Sequence, residues 1–136
     1  MTQPMSQITM NSLLALIIED NDGISSLYEE ALQVAGFTTQ IVRDGQSAIT
    51  ALDETQPDLI VLDLNLPHVS GHYILRHLRA SSNSTMSDIP VIISTANNVM
   101  ADAMRQELGE NDYLLVKPVD IRQLQHMAKR ILKIGS

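Results

Sequence analysis

The sequence contains no cysteine, so disulfides and thiolate metal sites are excluded, and any metal must be held by oxygen or imidazole. It has no apolar run approaching the length of a membrane span, so a soluble domain without membrane association is expected. Residues 1–11 lack a basic start followed by an apolar stretch, so no secretory signal is read there and a cytoplasmic location is expected. Basic side chains are scarce: 9 Lys and Arg stand against 16 Asp and Glu, for a net charge of -7. That balance disfavours contacts to a phosphate backbone, and direct nucleic-acid binding is not expected. What is there is a chain of 136 residues with 44% hydrophobic and 18% charged side chains, the ordinary make-up of one globular domain. A chain of that length buries about two-thirds of its unfolded surface, enough for a core without staples.

Residues 1–11 are polar without periodicity and are expected to form a disordered lead-in to a domain over residues 12–136. Short apolar runs then alternate with amphipathic segments. Leu13 to Ile18, Thr39 to Val42, Leu59 to Leu62, Val91 to Ser94 and Tyr113 to Val116 read as strands. The first helical pattern carries Ile24, Leu27, Tyr28, Ala31, Leu32 and Ala35 on one face and is stopped by Gly36. Four more use Ala48, Ile49 and Leu52; Ile74, Leu75 and Leu78; Val99, Met100, Ala103 and Met104; and Ile121, Leu124, Ala128, Ile131 and Leu132. Strict alternation predicts an α/β fold: a five-stranded, doubly wound parallel sheet with right-handed crossovers and five helices on its two faces. Ser81 to Ser87 is expected to be a lengthened connection and the most mobile loop.

In an open parallel sheet, ligands gather beyond the carboxyl ends of the strands. The first strand leads into Glu19 and Asp20, the third into Asp63, the fourth into Thr95, and the fifth into Lys117 and Pro118. Three carboxylates in one crevice repel one another and raise at least one pKa unless cations offset them. Lys117 supplies one positive charge and a divalent ion two, which balances the formal charges of Glu19, Asp20 and Asp63. Mg²⁺ suits the set because it takes hard oxygen ligands, keeps several waters and uses only one or two carboxylates beside a phosphate. Asp63 then has the chemistry of a nucleophile toward phosphorus, with the metal and Lys117 stabilising charge and Thr95 donating a hydroxyl hydrogen bond. Each element alone is weak, since an acidic pair after a strand is often a helix cap, and Asn21 or Asp22 could supply one. The joint pattern carries the reading. His68 and His72 are four apart, but Pro67 and Gly71 argue for loop there, which disfavours a histidine metal site. His77 and His126 read as helix-surface residues, and Met100 with Met104 as packing.

IIEDND, VLDLNLPHVSG, VIISTAN and the Lys117–Pro118 pair together resemble the motif set of receiver domains from bacterial two-component response regulators, across about residues 12–134. The resemblance implies the flavodoxin-like order of five parallel strands. It implies Asp63 as phosphoacceptor, Glu19 and Asp20 as the acidic pair at Mg²⁺, and the Asn65 backbone carbonyl as the remaining protein ligand. Thr95 and Lys117 would hold the phosphoryl oxygens, and Pro67 and Gly71 would shape the loop after Asp63. It further implies phosphorylation by a sensor histidine kinase or phosphotransfer protein and signalling to an unknown downstream protein. Such a module catalyses only its own modification and is not an enzyme in the ordinary sense. One position departs from the pattern. Receivers carry Tyr or Phe three residues before the lysine, where this chain has Leu114, and Tyr113 stands four before. Strand side chains alternate faces, so the offset turns the ring away unless a bulge restores it. That departure favours a second hypothesis, a binding module of the same fold that works without phosphorylation. A flavoprotein is disfavoured because acidic EDND would repel a flavin phosphate. A phosphohydrolase with an Asp-x-Asp pair is disfavoured because Asn65 stands where the second acid would be.

Overall fold

Apolar runs of five or six residues generate the strands of the computed structural model, which describes residues 13–135, with side chains described to residue 133. The lead-in expected over residues 1–11 lies outside the described residues. The strands are β1 (Leu13–Ile18), β2 (Phe37–Val42), β3 (Leu59–Asp63), β4 (Val91–Thr95) and β5 (Asp112–Val116). Between and after them run α1 (Asp22–Val34), α2 (Gly45–Glu54), α3 (Gly71–Arg79), α4 (Ser84–Ser87), α5 (Asn98–Arg105) and α6 (Ile121–Gly135). All strand pairs are parallel, in the order β2-β1-β3-β4-β5, as the doubly wound reading requires.

The central strands have no polar face because helices cover both sides of the sheet. β3 and β4 are buried at every position. On one side Leu16, Ile18, Ile60, Leu62, Val91 and Ile93 meet α2, α3 and Met104 of α5. On the other, Ala15, Ile17, Leu59, Val61, Ile92 and Leu115 meet α1 and α6. Four helices that follow strands begin on a side-chain cap: Asn21, Asp44, Ser70 and Asn97 each accept backbone N–H groups of the first turn. These caps fix where each helix leaves the crevice edge of the sheet.

The structure departs from the sequence expectations in four places. β2 begins at Phe37, two residues before the expected Thr39, because Phe37 is buried on the α1 and α6 side immediately after the turn at Gly36, whose φ is 109°. The Ser81 to Ser87 connection contains a sixth, one-turn helix, α4, held by the Asn83 side chain and by Met86 packed on the core. His72 lies in the first turn of α3, because Ser70 caps that helix; His68 stays in the loop with φ 68°. In α5 the inward face is Ala101 and Met104, with Val99 78% exposed and Ala103 outward, since the Asn97 cap sets the phase of a helix only eight residues long. His77 and His126 are exposed on helices as expected, and Met100 and Met104 pack on the core.

Candidate functional site

Parallel pairing in register brings the strand ends together. Ile18 lies beside Leu62, Asp63 beside Ser94, and Thr95 beside Val116, so the residues that follow converge on one edge of the sheet. Glu19 is 1% and Asp63 2% exposed, whereas Asp20 opens to solvent. One carboxylate oxygen from each of Glu19, Asp20 and Asp63 lies within 4.8 Å of the others. Lys117 enters from the end of β5 and sets its Nζ 2.9 Å from Glu19 Oε1 and 3.4 Å from Asp63 Oδ2. Backbone N–H groups complete the pattern: Asn65 donates to Asp63 Oδ1 at 3.0 Å and Asn21 to Glu19 Oε2 at 3.2 Å.

Burial pushes the Glu19 carboxyl above the usual carboxylate range and the Asp63 charge adds to this, while Lys117 and the Asn21 N–H pull the other way. For Lys117, burial works against the ammonium, but the Glu19 hydrogen bond and the charges of Asp63 and Glu19 outweigh it, so its pKa is raised. The crevice is thus a carboxylate cluster only partly neutralised by one lysine. Its side-chain donors are hard carboxylate oxygens with Asp20 facing water, a set that fits Mg²⁺ with part of its shell left as solvent.

Thr95 is fully buried at the end of β4, and its Oγ1 accepts the Asn97 N–H at 3.1 Å. Asn97 in turn caps α5 through Val99 and Met100, so one short chain of bonds links Thr95 to that helix. The loop after Asp63 folds back on the strand it leaves. Gly71 N–H donates to Leu64 O at 3.2 Å, and a Cβ on Gly71 would stand 2.5 Å from the Asp63 carbonyl oxygen. The carbonyl of Pro67 accepts the Val69 N–H, and Val69 seats against Gly45 at the start of α2.

The β4–β5 pairing runs without interruption from Val91 and Asp112 to Thr95 and Val116, so no bulge corrects the aromatic offset. Tyr113 packs on the α1 and α6 side and Leu114 on the opposite side with α2, α3 and α5. Two further polar groups near the crevice escape a sequence reading. Tyr28 on α1 looks like one more residue of an apolar stripe, and Ser94 like an ordinary strand residue. Both are buried beside the site, and the one available signal was a hydroxyl on each at an inward position.

Residues 15–129 match the response regulator receiver domain family. The chain is 33% identical over 125 residues to the transcriptional regulatory protein PrrA of Mycobacterium leprae, covering 91% of this chain and 52% of that one. It is 35% identical over 119 residues to the DNA-binding dual master transcriptional regulator RpaA of Synechocystis sp., covering 87% and 48%. The chain therefore spans about half the length of these curated relatives. Among solved structures it resembles the receiver domain of the sensor histidine kinase PA1611 from Pseudomonas aeruginosa, which has a magnesium ion coordinated in its active site cleft. That likeness has a TM-score of 0.76 at 30% identity, over 92% of this chain and 99% of that one.

Proposed function

The chain belongs to the response regulator receiver domain family, and from that premise we propose that residues 12–136 form a receiver that accepts a phosphoryl group on Asp63 from a sensor histidine kinase or phosphotransfer protein. The observation that carries the reading is the buried Glu19, Asp63 and Lys117 cluster with Asp20 at its mouth. The side chains of Glu19, Asp20 and Asp63 and the backbone carbonyl of Asn65 would hold Mg²⁺. When bound, the ion supplies positive charge against the oxygens of the transferring group.

The protein's own groups do the rest. An Asp63 carboxylate oxygen forms a bond to phosphorus while the phosphorus–nitrogen bond to the donor imidazole breaks, its electron pair staying on that nitrogen. Asn65 N–H orients the carboxylate from the side away from Lys117. Lys117 turns from Glu19 toward a phosphoryl oxygen, and the Thr95 hydroxyl, which accepts from Asn97, keeps its own proton to donate to another. Movement of Thr95 draws on Asn97 and hence on α5, so the face of α5, β5 and α6 is the proposed output surface toward a downstream protein. The relatives whose names include DNA binding are about twice as long. This domain, with a net charge of -7, is proposed to act through protein contacts and to catalyse only its own modification.

No helix among the described residues is long and apolar enough to cross a membrane, and a cytoplasmic location belongs to the same proposal. Leu114, with Tyr113 turned to the far side of the sheet, favours a second reading: a receiver-like module that binds partners without phosphorylation. Intact mass after incubation with acetyl phosphate and Mg²⁺ separates the two. One added phosphoryl group, abolished by Asp63→Asn, is the expected result. A wild type that stays unmodified and also fails to bind beryllofluoride would hand the function to the second reading.

A further inference from the structure

Behind Lys117, on the side of the sheet covered by α1 and α6, lie two buried hydroxyls that phosphoryl transfer to Asp63 does not use. Tyr28 reaches in from α1 and is 3% exposed; Ser94, on β4 beside Asp63 in register, is 1% exposed. The phenol reaches Ser94, yet Ser94 Oγ has no hydrogen bond of good geometry. Tyr28 and Lys117 line the same open cavity of about 130 Å³, together with Ile24, Leu27, Pro118, Val119 and Ile121. The phenol also stands within electrostatic reach of Lys117, Glu19 and Asp63.

A buried hydroxyl without a partner is unfavourable, and among the described residues that hydroxyl is Ser94 Oγ, while Tyr28 shares the inward face of α1 with Ser25, Ala31 and Leu32. Packing alone therefore does not account for the Ser94 oxygen beside the Tyr28 phenol. Lys117 is shared between Glu19 and Asp63, and a lysine stem is flexible, so its aim depends on what borders it. A charged neighbour would compete with the phosphoryl group, whereas a neutral hydroxyl borders the stem without doing so. Resting on the reading that Lys117 serves the phosphoryl group, we propose that Tyr28, together with Ser94, is a positioning residue for Lys117, forming a neutral polar wall on the α1 side that keeps the ammonium aimed at Asp63.

Tyr28→Phe removes the phenol oxygen and keeps the ring. Lys117, Lys129 and Lys133 are the only lysines, so side-chain labelled lysine gives a simple NMR spectrum in which Lys117 is the signal lost in Lys117→Arg. Tyr28→Phe is expected to move the Lys117 ε-methylene and ammonium signals while leaving the melting temperature and Mg²⁺ affinity essentially unchanged. It should slow acetyl phosphate labelling of Asp63 by about threefold to tenfold, the scale of a modest loss of aim in a group that stabilises the transferring charge. Ser94→Ala should act in the same direction, and the double variant should be no slower than Tyr28→Phe, since the two act as one unit. Unmoved Lys117 signals overturn the proposal whether or not phosphate is transferred. So does a loss of rate matched by a loss of Mg²⁺ affinity or of melting temperature, or an unchanged rate beside a labelled wild type. A wild type that takes no phosphate while Tyr28→Phe still moves the Lys117 signals overturns the reading of the site and leaves the influence of Tyr28 on Lys117 standing.

Discussion

Glu19 and Lys117 carry opposite charges, both have raised pKa values, and each is raised for a different reason. For Glu19 the cause is burial first, so its folded value lies above its unfolded one. Such a group contributes stability below the unfolded value and loses it as pH rises through the folded one. The stability of the wild type relative to Glu19→Gln should therefore fall as pH rises from the ordinary unfolded carboxylate range, about 4, through neutral in chelated buffer. Urea denaturation across that range checks it, and a difference that stays flat or climbs would mean that Lys117 outweighs burial. Gly71 is constrained by contact and not by dihedral strain: an added Cβ would meet Asp63 O at 2.5 Å and Leu64 Cα at 2.7 Å, both backbone atoms. Gly71→Ala should destabilise by about 1–3 kcal/mol, the range for forced overpacking. A loss under about 0.5 kcal/mol, within the usual surface range, would show that the loop can yield. At this scale Glu19, Asp20, Asp63, Thr95 and Lys117 were legible because a strand end fixes where a residue goes. Tyr28 and Ser94 were not, because helical and strand periods report which way a residue faces and not what its hydroxyl touches.

The elements were legible in proportion to how apolar they are. β3 and β4, buried throughout, read directly as strands. α5 read as a helix but its inward face did not, because over eight residues the phase of a helix is set more by its Asn97 cap than by its few apolar side chains. The Ser81 to Ser87 stretch read as loop because its only apolar anchor is Met86, and its order comes from elsewhere. Arg79, at the end of α3, donates to the carbonyls of Ser87 and Ile89 at 2.7 and 2.8 Å and pairs with the buried Asp112 carboxylate at the start of β5. One guanidinium thus ties three connections at the edge of the sheet opposite the crevice. Arg79→Ala leaves a buried carboxylate without its cation and should lower stability by about 2–4 kcal/mol. Arg79→Lys should recover only part of this, because an ammonium lacks the planar fork that serves several acceptors. Both variants should keep Mg²⁺ affinity near that of the wild type, and a parallel loss of affinity measured by calorimetry would refute the separation of the two edges.

At the scale of the molecule the Glu19, Asp20 and Asp63 carboxylates are gathered at one edge of the sheet, so the folded chain holds together carboxylates that the unfolded chain disperses. A cation that binds only the folded form stabilises it by mass action, by about 2.7 kcal/mol at a hundredfold excess over Kd, or roughly 10 °C for a domain of this size. Scanning calorimetry should show melting rise with Mg²⁺, and less so in Asp20→Asn. An undiminished rise in that variant would place the ion elsewhere. The architecture as a whole was legible, since strict alternation admits few topologies, but which layer receives each side chain of β5 was not. That strand alternates without a bulge, so membership of a layer is a matter of parity. Exchanging Tyr113 and Leu114 would leave mass, composition and net charge untouched and still carry the phenol through the sheet to the other layer. A shift of a single letter, the smallest displacement a chain can register, is here equivalent to crossing the full thickness of the molecule's central wall.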